Sequence, residues 1–207
     1  PAITEILFHV PVGGEGDASL DGKRDAVGDE FIEIANLHDQ PINLAGYSLS
    51  DRGEQFKFTF PKLTLAPGEV VVLFNGYDTT IPGAVGGMKA PPASTNSNFH
   101  NAWVFTLGNS KRTIALNNQS DRVVLSSPDG LPIDIVSWGA RDNRDYVSHP
   151  RMASVNASPK CSVQRVLDSG KLLPHLDIDG APFSPGWIPQ SVTVEKNNKQ
   201  TKKKKST

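Results

Sequence analysis

Five carboxylates fall within fourteen residues near the start of the chain: Asp17, Asp21, Asp25, Asp29 and Glu30. Calcium is a hard cation that takes about six to eight oxygen ligands. The run Asp17-Ala18-Ser19-Leu20-Asp21-Gly22 has the D-x-S-x-D-G spacing that wraps a chain around such an ion. Asp17, Ser19 and Asp21 would offer side-chain oxygens and Lys23 its carbonyl, while Asp25 falls at the ninth place of the loop. The twelfth place is Gly28 rather than Glu, so Asp29 or Glu30 has to close the shell. Carboxylates this dense repel one another without a cation, although Lys23 and Arg24 offset part of that. Calcium is therefore the expected cofactor, set against the plainer reading of an acidic surface turn.

Other chemistries find less support. His9, His38, His100, His149 and His175 show none of the spacings of a zinc site. There is no G-x-S-x-G elbow, and the glycines at 83–87 lack the Lys-Ser/Thr of a phosphate loop. Cys161 has no Cys-x-x-Cys partner and reads as a buried structural thiol. No catalytic residue is therefore assigned. Asn98, Phe99, His100 and Trp103 place aromatic and polar groups at the end of a long loop, a reasonable surface for a ligand or partner. Lys202, Lys203, Lys204 and Lys205 form an anion-binding tail.

The elements that must carry these groups are strands. Ile6, Phe8 and Val10 alternate, as do Phe56, Phe58 and Phe60, which predicts strands with one buried face. Val70 to Phe74 is a continuous apolar run of the kind buried on both sides. Val123 to Leu125, Ile133 to Trp138 and Ser162 to Val166 extend the set, and Pro128-Asp129-Gly130 predicts a hairpin between the first two of these. Trp138 lies within an apolar strand and is assigned to the core. Residues 76–101 are rich in Gly, Pro, Ser and Asn and read as an insertion loop. No stretch has a helical amphipathic pattern, so an all-β sandwich or barrel is expected.

Composition agrees. Gly 18 and Pro 16 mark many turns, and 37% apolar residues in a 207-residue chain suffice for one sizeable core. The expected organisation is one β-sandwich over residues 1–190, with an acidic loop at 13–30, the insertion, and a disordered Lys-rich tail at 191–207. Six lysines against Glu195 give residues 195–207 a charge of +5, so the formal −1 of the whole leaves −6 on residues 1–194. An acidic body of that size suits neither nucleic acid nor anionic lipid, and the tail alone would have to supply such affinity. One cysteine excludes an intrachain disulfide, and no apolar run is long enough to span a membrane. A chain beginning at Pro1 without Met fits a mature form whose leader has been removed.

The order of several short words resembles the lamin tail domain, an immunoglobulin-like fold found in nuclear lamins and in bacterial secreted or surface proteins. These words are Ile3-Thr4-Glu5-Ile6, Glu30-Phe31-Ile32-Glu33-Ile34-Ala35-Asn36, Ile42-Asn43-Leu44-Ala45-Gly46-Tyr47-Ser48-Leu49 and Phe60-Pro61. They continue with Leu65-Ala66-Pro67-Gly68-Glu69-Val70-Val71-Val72, Asp121-Arg122-Val123-Val124-Leu125, Asp134-Ile135-Val136-Ser137-Trp138-Gly139, Ser162-Val163-Gln164-Arg165 and Phe183-Ser184-Pro185-Gly186. Glu33 is expected on a solvated strand face and Asn36 in an Asx turn. The resemblance, in its bacterial branch, implies an immunoglobulin-like β-sandwich serving as a non-catalytic binding, adhesion or assembly module, secreted or at the cell surface. Its partners would be proteins or a second copy met at a strand edge, or a cell-surface component. The alternatives are a nuclear, chromatin-binding tail acting through its lysines, and an accessory domain of a secreted hydrolase or nuclease.

Overall fold

The computed structural model describes residues 1–139, 149–155 and 160–189. The Lys-rich tail lies outside them.

Among the described residues thirteen strands form three sheets. They are β1 (Ala2–Leu7), β2 (Phe31–Ala35), β3 (Ile42–Asn43), β4 (Ser48–Ser50), β5 (Lys57–Thr59), β6 (Thr64–Leu65) and β7 (Val70–Phe74), then β8 (Trp103–Thr106), β9 (Asp121–Ser126), β10 (Pro132–Trp138), β11 (Met152–Val155), β12 (Val163–Arg165) and β13 (Leu172–Pro174). Six of them order as β13-β12-β1-β2-β7-β8 and five as β11-β10-β9-β4-β5, while β3 and β6 make a small ribbon. Among the described residues the only helical turns are single 3₁₀ turns, at Gly14–Gly16, Ser97–Phe99 and His175–Asp177. This is the all-β sandwich expected from the alternation of residues, and it is consistent with the immunoglobulin-like fold that the resemblance implies.

The two large sheets close on one apolar layer. Ile3, Ile6, Ile32, Ile34, Val71, Leu73 and Phe105 project from the six-stranded sheet onto Leu49, Phe58, Val123, Leu125, Val136 and Trp138 of the other. Trp138 is fully buried as expected, stacked on Phe8 at 4.2 Å with 9° between the rings. Its indole N–H donates to the Asn117 carbonyl at 2.6 Å. The hairpin at Ser127–Leu131 also forms, with Gly130 N–H donating to Ser127 O and Ser127 N–H to Leu131 O.

Two expectations need correction. β1 and β2, predicted to bury one face, are buried on both, like β7. The first strand also stops at Leu7, so Phe8 and Val10 join the core from the loop that follows it. Periodicity alone did not anticipate this second burial. Leu7, Phe31, Val72, Phe74 and Val104 line the outer face of the six-stranded sheet, and Val10, Ala18, Phe99 and Ala102 cover them from loops. The acidic loop, the Gly/Pro-rich insertion and the segment after β13 thus serve as a third layer.

Two strand pairs are parallel, β7 with β8 and β10 with β11. Each pair requires a crossover instead of a hairpin, and the 76–101 insertion is the first of these connections. It also covers the β8 edge, where Gly86 N–H donates to Val104 O and Thr106 N–H to Gly86 O.

One ion pair ties the two sheets together. Arg165 of β12 donates from Nη2 to both oxygens of Asp134 on β10, at 3.1 and 3.0 Å, and from Nε to the Ile3 carbonyl at 2.7 Å. Ile3 N–H donates to the same Asp134 carboxylate at 2.8 Å. Both side chains are buried or nearly so, so removing Arg165 leaves a buried Asp134 carboxylate with only the Ile3 N–H and the half-exposed Arg151, 3.9 Å away, to offset its charge. Arg165→Met is expected to destabilise the fold by about 3–5 kcal/mol in urea unfolding. A loss below about 1 kcal/mol would mean that the pair is not a clamp.

Candidate functional site

The largest surprise lies on the outer face of β1 and β2. A bulge in β1 between Ile3 and Glu5 lets Thr4 and Glu5 both reach the side away from the sandwich, where Glu5 faces Glu33 of β2. Glu33 is fully buried and not on a solvated face as expected. Its carboxylate accepts from Thr4 Oγ1 at 2.6 Å and from Gly186 N–H at 2.8 Å. Glu5, also fully buried, accepts from Ser162 Oγ and from Ser184 N–H at 3.0 Å. Burial pushes the Glu33 carboxyl up to about 7, and burial together with the Glu33 charge raises Glu5 well above the carboxylate range.

These bonds explain two of the sequence words at once. The acids of β1 and β2 are sockets for the N–H groups of Phe183-Ser184-Pro185-Gly186. Gly186 is required there because its φ is +91° and a Cβ would lie 2.2 Å from the Phe99 carbonyl oxygen. Phe183 meets Phe31 edge-on at 6.4 Å, completing the seal.

Within this seal sits a constellation that sequence spacing did not reveal. His175 Nε2 lies 2.7 Å from Ser184 Oγ, and His175 Nδ1 lies 3.1 Å from both Asp179 Oδ1 and the Ala181 carbonyl. The distances are those of a Ser-His-Asp triad, but the surroundings are not. The residue after the serine is Pro185, which has no N–H to offer an oxyanion. The serine's own N–H is committed to Glu5, an anion where developing negative charge would need a donor. Ser184 Oγ also lies 2.8 Å from the Trp187 carbonyl, a local bond that folds the segment back on itself.

The acidic loop is closely hydrogen-bonded. Asp17 accepts from Asp21 N–H at 3.2 Å and Gly22 N–H at 2.9 Å, and Asp21 from Lys23 N–H at 2.8 Å and Thr80 N–H at 3.0 Å. Asp29 takes Ser19 N–H and Asp25 N–H, and Asp25 takes Val27 and Gly28 N–H. Glu30 is buried elsewhere, accepting from Asn75 Nδ2 and Leu116 N–H, and burial raises its carboxyl well above the usual range. Among the described residues no three His, Cys, Asp or Glu side chains converge as metal ligands. Asp17, Ser19, Asp21 and Lys23 therefore stay in one turn, while Asp25, Asp29 and Glu30 accept from backbone N–H groups, with Arg112 also beside Asp25 and Asn75 beside Glu30.

The expected partner surface is also divided. Phe99 is buried in the second core against Phe74, so its ring is not available to a partner, a correction that follows from the sheet's need for cover. Trp103 is half-buried against the sandwich core and donates its N–H to Glu69 at 3.3 Å. Asn98 is exposed and donates from its own backbone and side chain to Asn96. His100 alone faces an open cleft, its ring 5.7 Å from that of Trp187. That cleft, of ≈ 530 Å³, is lined by Leu37, Val70, Leu167, Trp187 and Ile188 along with His100. Leu37, Leu167 and Trp187 keep 43%, 45% and 48% of their surface exposed. Trp187 carried no signal in the sequence, because only the docked segment brings it beside the β2–β3 turn and the β12–β13 turn.

The architecture and its buried carboxylates define an all-β sandwich domain. The chain belongs to the lamin tail domain family, whose model matches residues 10–140. That stretch holds Glu30, Glu33 and the sandwich strands β2 to β10, whereas Glu5, Ser162, His175 and Ser184 lie outside it. Among solved structures the chain is similar to a DUF4876 family protein from Bacteroides thetaiotaomicron, with 13% identity and a TM-score of 0.44 over 96% of this chain and 72% of that one. No curated protein matches it.

Ser184→Ala removes an oxygen that joins His175, Trp187 and Glu5. It is expected to lower stability by about 1–2 kcal/mol. Hydrolysis of an activated aryl ester should stay at the buffer rate before and after the change. A serine-dependent burst of product would show that the triad geometry is chemical after all.

Proposed function

We propose that the domain is a non-catalytic binding and assembly module that works outside the cytoplasm and meets a protein partner at the cleft beside Trp187. The observation that carries this reading is the grouping of Leu37, Leu167 and Trp187, three large apolar side chains left nearly half exposed around one concavity. Apolar groups gathered in this way mark interaction sites, and tryptophan is the residue most often found as an anchor in them. The non-catalytic character is supported by the use of the buried acids as sockets for backbone N–H groups.

Strand addition is less favoured than the cleft. The β8 edge is occupied by Gly86, β13 is three residues ending in Pro174, β5 is three residues with Lys57 on it, and β11, which carries neither proline nor lysine, is only four residues long. Short edges carrying proline or lysine resist pairing with a neighbour. Panning a displayed peptide library against the protein is expected to enrich sequences whose affinity drops at least tenfold in Trp187→Ala and in Leu37→Asp. Peptides that bind both variants as well as the parent would move the partner site elsewhere.

A second reading concerns the acidic loop. We infer that calcium is a ligand of residues 17–23, held by Asp17, Ser19, Asp21 and the Lys23 carbonyl, with water completing the shell. In support, Asp17 gathers the N–H groups of Asp21 and Gly22 around one carboxylate, and Gly22 takes the left-handed φ of +85° at the sixth place of the loop. A site with so few protein ligands suits the millimolar calcium found outside cells. Two millimolar-range additions decide it: calcium is expected to raise Tm by a few degrees and a chelator to reverse the rise. The same Tm in both would leave the N–H bonds as the whole account of the loop.

A further inference from the structure

Glu5 and Glu33 are paired across β1 and β2, and neither carboxyl reaches solvent. The groups around them come from four places. Thr4 and Gly186 N–H face Glu33, while Ser162 and Ser184 face Glu5. Gln164 of β12 stands opposite Glu5 in the sheet, with the buried Cys161 just before that strand. His175 Nε2 is 4.0 Å from Glu5 Oε1, and that ring is in turn against Asp179, while Asp177 acts on the Cys161 side. His175 is the one group here able to bring positive charge, and its nearest carboxylate is Asp179 rather than Glu5.

One atom in this cluster has no partner: Gln164 Oε1 is buried and receives no hydrogen bond. Its residue is paired with Glu5 in the β1–β12 ladder, and an acceptor without a donor there makes a further negative charge on the same strands costlier. We propose that Glu5 and Glu33 hold a proton between them and that this proton latches the segment 175–188 onto the outer face of the six-stranded sheet. When the proton leaves, two like charges face one another out of contact with water, and the segment lifts to let solvent reach them. Lifting withdraws Phe183 from Phe31 and carries Trp187 and Ile188 out of the cleft wall. The latch does not depend on what the cleft binds.

The direction with pH follows from proton affinity. Burial holds the Glu33 carboxyl near 7 in the closed state against 4.5 for a solvated one. The closed state therefore binds the proton more tightly, and its advantage is complete below about 4.5 and is lost as pH rises through about 7, by up to about tenfold per pH unit. Glu5, also raised well above the carboxylate range by burial and by the Glu33 charge, acts in the same direction.

Hydrogen exchange at Ser184 and Gly186, whose N–H groups sit on the two carboxylates, reads the latch directly. After correction for intrinsic exchange, their protection is expected to fall about 100-fold between about pH 5 and pH 7, while that of Val124 in the sandwich stays constant. In the double variant Glu5→Gln, Glu33→Gln the profile should be flat. Constant protection in the parent, or the same fall in the double variant, would overturn the proposal. Should the variant not fold, the carboxyl carbon shifts of Glu5 and Glu33 in the parent decide: two coupled steps displaced upward support the latch, and ordinary independent titration of both near 4.5 refutes it.

Discussion

The constraint on which the rest depends is that the middle of the six-stranded sheet has no solvent side. β1, β2 and β7 are buried along their whole length. A sheet of this kind needs a layer on each face. One is the five-stranded sheet. The other is assembled from irregular chain, which must carry its own apolar residues and must also satisfy its backbone. Phe99 and Phe183 meet the first requirement, and the buried acids Glu5 and Glu33 meet part of the second by accepting N–H groups from the closing segment.

Polar side chains hold the irregular parts throughout. Asn96 donates to the carbonyls of Pro82 and Ala84 and so folds the insertion over the sheet. Asn75, Asn109 and Glu30 form a knot around the Ile114 carbonyl and Leu116 N–H that fixes the connection from β8 to β9. Asn36 accepts from His38 N–H, the expected Asx turn, and donates across to the Leu65 carbonyl. In each case a buried amide or carboxylate replaces the strand ladder that a loop lacks. The Asp134–Arg165 pair does the same between sheets, serving the backbone of Ile3 at both its N–H and its C=O.

Such an arrangement joins stability to surface. The segment that covers Glu5 and Glu33 is also the wall of the cleft, so the groups available to a partner rest on the most polar part of the interior. On the proposed reading, Trp187 is presented to a partner only while the segment after β13 is docked. The cleft and the proposed latch would thus share one stretch of chain, and a ligand that prefers the docked segment would favour the protonated pair by linkage.

The residues by themselves determined strands β1, β2, β5, β7, β9, β10 and β12, the hairpin at Pro128-Asp129-Gly130, the core position of Trp138 and the family, because period-two alternation and turn chemistry are local properties of the chain. Lamin-tail words such as Glu30 to Asn36 were legible for the same reason, though not their purpose. Glu33 reads as a solvated residue between two isoleucines, and no local rule says that a segment about 150 positions later will cover it. The parallel pairing of β8 with β7 and of β11 with β10, the burial of Phe99, the convergence of His175, Ser184 and Glu5, and the exposure of Trp187 beside Leu37 were all decided by tertiary structure. Each depends on which distant segment is brought against a strand edge or a sheet face, and a pattern of neighbours along the chain carries no record of that choice.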